Sequence, residues 1–257
     1  MKFNPNEKKY VEKMINDEMV FNLRYPKNDV RLLIRYFTSI GLTEKDVLFN
    51  VISFMNNVSS NKKDWEIDVN KCYKELSKKS LLTKPLSNVE VINITKNEMN
   101  KIEELNNENL EKVAFGLLVY CKIWQQINNK KDSCWVRIDN TTDFYKDIKV
   151  SVCAKDREIN IHKLLKYGFI DVPRKTGSTD IKLNFISDDT DLAIAVSSID
   201  DFIIDYYVYK GKKVINCCEC GQRVIVNGKA RTKYCSKCAK VVEKTRLKET
   251  MNVRRSK

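Results

Sequence analysis

Apolar residues recur at helical spacing through the first third of the chain. From Asp29 to Ile40 the apolar set is Val30, Leu32, Leu33, Ile34 and Phe37, and the run stops at Gly41, a residue suited to the left-handed turn just past a helix end. Thr43, followed three positions later by Asp46, is a variant of the capping box and opens a second helix striped by Val47, Leu48, Val51, Ile52 and Met55. A third helix is predicted from Trp65 to Lys79, which makes residues 1–83 a helical N-terminal domain. The Gly41-Leu42 connection fits a helix-turn-helix. It fits an ordinary antiparallel helix pair at least as well, because the second helix offers few basic or amide side chains to a groove.

After the Lys84-Pro85-Leu86-Ser87-Asn88 linker the period changes. Val89 to Ile94 alternates as a strand does, and Thr95-Lys96-Asn97-Glu98 is a full capping box. Leu110 to Asn128 reads as an amphipathic helix with Val113, Phe115, Leu117, Leu118, Cys121 and Trp124 inside. Trp135 to Ile138 then reads as a strand and Thr142 to Ile148 as a short helix. A helix from Ala154 to Tyr167 ends at Gly168, and two strands, Phe169 to Val172 and Ile181 to Ile186, flank a turn from Pro173 to Thr179. This is the element order of a winged helix-turn-helix, assigned to residues 89–187. Ala154 to Tyr167, carrying Lys155, Lys163 and the single histidine His162, would be the recognition helix, and Arg174 and Lys175 would sit at the wing tip. Between residues 101 and 189, however, 15 basic residues face 14 acidic ones, so a DNA-contacting and a scaffolding role both stand for this module. Residues 188–213 read as an acidic linker and then an amphipathic helix, Ile199 to Tyr207, with Ile199, Phe202, Ile203 and Tyr206 inward. The aspartates here (Asp188, Asp189, Asp191, Asp200, Asp201, Asp205) lack the histidine or second carboxylate set of a phosphodiester-cleaving metal cluster.

The end of the chain, 214–257, carries the most specific pattern. Cys217-x2-Cys220, a gap of 14 residues, and Cys235-x2-Cys238 present four thiols at the spacing of a tetrahedral zinc site. Four thiolates leave no open coordination position, so one structural zinc ion is expected and catalysis by it is not. Cys218-x-Cys220 is a poorer pair, which leaves Cys218 a bystander. Val224 to Val226, Asn227-Gly228 and the segment to Tyr234 predict a hairpin between the Cys pairs, and Ala239 to about Arg254 predicts a helix carrying on from the second. Together they describe a treble-clef or zinc-ribbon type finger.

Charge follows the same division. Residues 210–257 contain 15 Lys and Arg against three acids, so +12 of the chain's formal +13 lies in this segment. The candidate nucleic-acid contacts here are Arg223, Lys229, Arg231, Lys233, Lys237, Lys240, Lys244, Lys248, Arg254 and Arg255, of which Lys240, Lys244 and Lys248 recur every fourth residue along one helical face. Such a block implies a polyanionic partner, and duplex DNA is the expected one.

Composition adds limits. A chain of 257 residues that is 42% hydrophobic can bury one large or several small cores, which excludes a disordered protein. Five of the nine cysteines crowd into 217–238, a distribution that favours metal ligation over a disulfide framework. No stretch approaches a membrane span and the first residues lack a signal-peptide core, so a cytoplasmic protein with no membrane partner is expected. No G-x-S-x-G, P-loop or paired catalytic carboxylate set is present, and no catalytic residue is assigned.

Four segments carry a resemblance. They are Asn93-Ile-Thr-Lys-Asn-Glu-Met, Leu110-Glu-Lys-Val-Ala-Phe-Gly-Leu-Leu-Val-Tyr, Leu164-Leu-Lys-Tyr-Gly-Phe-Ile, and the ending Cys-x2-Cys-Gly with Tyr234-Cys-Ser-Lys-Cys-Ala and its basic helix. On these the chain, from about residue 30 onward, resembles uncharacterised phage and prophage proteins of low-GC Gram-positive bacteria with a central winged helix and a C-terminal four-cysteine zinc finger. The resemblance implies a nucleic-acid-binding protein of a phage or prophage, without saying which process it serves. The reading of the whole chain is a non-enzymatic DNA-binding protein of a mobile element, expected to work in the host cytoplasm in transcription regulation or replication initiation. The alternative is a protein-interaction factor that engages a host or phage protein and inhibits a host defence nucleoprotein complex. The expected fold class is mainly α (α+β).

Overall fold

A computed structural model describes residues 5–22, 25–58, 64–130, 134–138, 140–173, 180–226 and 232–255. The chain is α+β, with small sheets among many helices, and divides at Glu90/Val91 into two compact units.

The N-terminal unit consists of α1 (Glu7–Asn16), α2 (Pro26–Ser39), α3 (Glu44–Val58) and α4 (Glu66–Lys78). Helix α2 begins on Pro26, whose fixed φ suits a first helical position, and its end turns through Gly41 at φ +87°. The Thr43 hydroxyl accepts the Asp46 amide at 3.4 Å and donates to the Asp46 carboxylate at 2.6 Å, which starts α3 where the capping pattern predicts. Helix α2 packs on both α3 and α4, and Val30, Leu33 and Ile34 meet Val47, Val51, Met55, Val69, Cys72 and Leu76 in one core, joined by Val11 and Met14 of α1. Asp29 is buried in this unit, where its carboxylate accepts the Tyr10 hydroxyl and the Asn22 amide, both at 2.9 Å; burial pushes its pKa up.

The second unit opens with β1 (Ile92–Thr95), α5 (Lys96–Glu103) and α6 (Glu108–Asn128). The capping box at the β1–α5 junction forms: Thr95 accepts the Glu98 amide and the Glu98 carboxylate accepts the Thr95 amide at 2.8 Å. Glu98 is fully buried and also takes Lys122 at 2.9 Å and the Ser187 amide at 3.2 Å, so one charged side chain ties three segments together. Helix α6 is the axis of the unit. Every residue from Leu110 to Cys121 is buried, and it is apolar on nearly all sides, as a helix enclosed by neighbours must be.

Around α6 run β2 (Trp135–Arg137), α7 (Thr141–Asp147), α8 (Ala154–Lys166), β3 (Ile170–Asp171) and β4 (Asp180–Leu183). The three strands form one antiparallel sheet in the order β2-β4-β3. Gly116 of α6 lies where α7 crosses: a Cβ there would stand 2.4 Å from Ile148 Cγ2 and 3.1 Å from Phe144.

Residues 188–213, predicted to be a linker and a helix, contain in addition β5 (Leu192–Val196), which pairs antiparallel with β1 from Ile92↔Val196 to Thr95↔Leu192. The aspartates that gave the segment its linker character hold the junction: Lys96 donates its amide to the Asp191 carbonyl at 2.8 Å, and Asn97 donates to the Asp189 carboxylate at 2.9 Å. The helix itself, α9 (Ile203–Tyr209), starts later than predicted, yet Ile199, Phe202, Ile203 and Tyr206 are all buried as expected. Phe202 and Tyr206 pack their rings against Phe115 of α6, and the Tyr206 hydroxyl donates to buried Glu111 at 2.7 Å. The chain then continues through β6 (Val214–Asn216), β7 (Arg223–Ile225) and α10 (Ser236–Arg255).

Candidate metal centre and cationic surface

Strands β6 and β7 pair antiparallel from Val214↔Ile225 to Asn216↔Arg223, so the first Cys pair sits in the turn of a hairpin. This differs from the sequence expectation, in which the strand near 224–226 pairs forward toward Tyr234. The turn closes because the Cys217 amide donates to the Gln222 carbonyl at 2.8 Å and the Gly221 amide to the Cys217 carbonyl at 2.9 Å. Gly221 takes φ +69° there, a left-handed conformation that a side chain would strain. Asn227 and Gly228 lie outside the described residues.

The second Cys pair enters from the other side. The Cys218 amide donates to the Lys233 carbonyl at 3.0 Å, which draws residues 233–235 over the first turn. Helix α10 begins at Ser236, and Cys238 occupies its first turn. As a result the four sulfurs of Cys217, Cys220, Cys235 and Cys238 all lie within 4.8 Å of one another, with Cys220 and Cys235 at 3.8 Å. The edge of a tetrahedron of thiolates around zinc is about 3.8 Å, given Zn–S bonds of about 2.3 Å. The four-cysteine group can hold a metal ion, and it is the one such group among the described residues. Cys218 is exposed and does not belong to it.

The local electrostatics favour thiolates at Cys217 and Cys235. Backbone amides, that of Cys220 foremost and then that of Cys235, point at Cys217 and lower its pKa to about 6; the Cys235 amide stands 3.2 Å from the Cys217 sulfur. The Cys238 amide, 3.4 Å from the Cys235 sulfur, lowers Cys235 in the same way. Cys238 is pushed up instead, because it holds the proton shared with Cys235 and Cys220. A bound cation takes over the role of that proton, and the soft, four-thiolate donor set suits zinc.

The expected cationic contacts separate into three groups. Lys155 and Lys163 are exposed on α8, and Lys233, Lys237, Lys240, Lys244 and Lys248 are exposed on or just before α10. Arg223 is engaged within the protein: its guanidinium donates to Asp205 at 2.7 Å and stands 3.5 Å from Asp201. Arg174, Lys175, Lys229 and Arg231 lie outside the described residues, and Arg254 and Arg255 lie in the helical backbone of α10 with side chains outside the description.

The Arg223 pair is a feature that sequence reasoning missed. It fastens β7 of the metal hairpin to α9, and Lys149, on the α7–α8 connection at φ +53°, completes the charged cluster. Burial pushes the Lys149 pKa down against the pull of Asp201. The only available signal was the spacing of Asp201 and Asp205, four residues apart on one helical face, with no hint of their partner.

None of the helices among the described residues is long and apolar enough to cross a membrane. No protein-family model matches the chain, and no curated protein and no solved structure matches it.

Proposed function

We propose that the chain is a non-enzymatic duplex-DNA-binding protein of a phage or other mobile element, acting in transcription regulation or replication initiation. The observation that carries this reading is the placement of charge. Residues 210–257 hold +12 of the formal +13, and the cations of α10 project from a helix whose described side chains stay out of any core. A zinc ion on Cys217, Cys220, Cys235 and Cys238 would be structural, bracing the first turn of that helix so that its cations face a phosphate backbone in a defined direction.

The central module supports a role in orientation. Its order α6, β2, α7, α8, β3, β4, with strands paired β2-β4-β3, is that expected of a winged helix, and α8 with Lys155 and Lys163 outward would be its recognition element. A hairpin around one Cys pair, followed by a helix carrying the end of the other, supports a treble-clef type finger. In this division of labour the finger supplies salt-dependent affinity and the winged helix supplies register.

The test is a salt series on duplex DNA with the full chain and with a variant carrying Lys237→Gln, Lys240→Gln, Lys244→Gln and Lys248→Gln. The slope of log affinity against log salt should fall by about one for each lysine that neutralises a phosphate. Equal slopes would remove the basis of the proposal. The near balance of charge over residues 101–189, 15 basic against 14 acidic, favours a second reading, an interaction factor that inhibits a host nucleoprotein complex with its basic tail competing for nucleic-acid-binding surfaces. A stoichiometric protein partner that survives nuclease treatment, with no binding to purified DNA, is the result that would put this reading first.

A further inference from the structure

Helix α10 presents more than charge. Val241, Leu247 and Met251 are 65%, 56% and 56% exposed on it, although a helix normally turns such side chains toward a core. At about 100° per residue, these three share one half of the helix with the exposed Lys237, Lys240, Lys244 and Lys248. No acid stands among the described side chains between Leu247 and Val241 on that arc, and Glu243 borders it, about 40° beyond Leu247. The two chemistries interleave around the axis: Lys240 falls between Leu247 and Met251, and Lys244 between Met251 and Val241.

Interleaving narrows the choice of partner. A helix that lies in a lipid interface collects its apolar residues into one continuous face and keeps its cations on the other, which α10 does not do. The seam of a self-associating coiled coil needs apolar residues at alternating three- and four-residue steps, and 241, 247 and 251 do not supply it. The major groove of B-form DNA has the matching alternation. Its floor carries base edges, including the apolar thymine methyl groups, and its rims carry phosphates that long lysine side chains reach past the apolar contacts. The groove also admits an α-helix, and residues 237–251 span about 21 Å, less than one turn of duplex of about 34 Å.

We propose that α10 seats its Val241, Leu247 and Met251 half in the major groove of duplex DNA, so that these apolar side chains meet base edges while the lysines between them meet the flanking phosphates. This rests on the duplex-binding reading given above and makes α10 a groove-reading element in its own right, where the charge row alone describes a helix that only follows the backbone.

The test compares the full zinc-loaded chain with its L247A/M251A variant on a short A·T-rich duplex DNA and on double-stranded RNA of matching sequence, over a range of salt. Alanine is the strongest helix former, so far-ultraviolet circular dichroism should show α10 intact in the variant. The expected result is a loss of roughly tenfold in affinity for the DNA with an unchanged salt slope, since apolar contact is lost and no charge is. Affinity for the RNA should stay the same, because the A-form major groove is too deep and narrow to admit the helix. Equal DNA affinity of parent and variant overturns groove entry while leaving duplex binding in place, and an equal loss on RNA overturns it too. Failure of the parent to bind either duplex removes the functional reading itself, and the groove assignment with it.

Discussion

Helices α6 and α10 are of nearly equal length, 21 and 20 residues, and are stabilised in opposite ways. Helix α6 has an unbroken run of buried residues and is capped at both ends, by the Asn107 side chain accepting the Leu110 amide and by Asn129 in the left-handed region at φ +51°. Helix α10 buries none of its described side chains, and only Cys238 and Val242 are half-buried. A helix of this length without a packed face is marginal in water, so what holds α10 must act at its start. The four-sulfur group does this: the chain enters α10 between Cys235 and Cys238, and the Ala239 amide bonds the Cys235 carbonyl at 2.8 Å. One helix is a product of the hydrophobic core; the other starts from a four-cysteine group that can hold a metal ion. The second arrangement leaves most of the described side chains of the helix exposed.

The sharpest way to break this contrast is Cys235→Ser. With zinc bound by four thiolates, loss of one ligand should cost most of a contribution on the order of 10 kcal/mol, releasing the metal and melting α10 while the α6 core keeps its cooperative transition. Metal quantitation and circular dichroism read the two halves of that statement separately; one zinc retained per chain would refute the four-cysteine assignment. The converse change is Gly116→Val. With the first added carbon 2.4 Å from Ile148 Cγ2, α6 and α7 must separate, at an expected cost of about 1–3 kcal/mol in urea unfolding with metal content unchanged. Tyr206→Phe probes the same core more gently. It removes the hydrogen bond to Glu111 but leaves Lys210 at 2.9 Å from that carboxylate, so a loss of about 1–2 kcal/mol is expected, again with no effect on the metal. If either core variant released metal, the two helices would not be independent.

The same contrast explains which parts could be read in advance. The Thr95–Glu98 capping box, the helix ends at Gly41 and Gly168 and the cysteine spacing are short-range patterns, and each forms as the residues predict because its chemistry is complete within a few positions. Strand β5 was hidden because Leu192-Ala-Ile-Ala-Val is short, contains two alanines of low strand preference and follows three aspartates; pairing with β1, almost 100 residues earlier, is what makes it a strand. The pairing of β7 with β6 was missed for a related reason. The Asn227-Gly228 turn signal points forward along the chain, whereas the hydrogen-bonded turn around Cys217 and Gly221 points back.

Among the candidate site residues, the sequence alone determined the four cysteines that can hold a metal ion and the concentration of cations beside them, because cysteine spacing and charge are properties of the chain itself. Tertiary structure decided how those charges are used. It committed Arg223 to Asp205 and Asp201, since a cation brought beside two half-buried carboxylates is held there by Coulombic attraction in a partly desolvated site. It left Lys237, Lys240, Lys244 and Lys248 facing solvent together with Val241, Leu247 and Met251, because nothing in the described core reaches that side of α10. Whether a lysine or a leucine ends in a core, an ion pair or open solvent depends on segments far away in sequence, and only the folded chain brings those segments into contact.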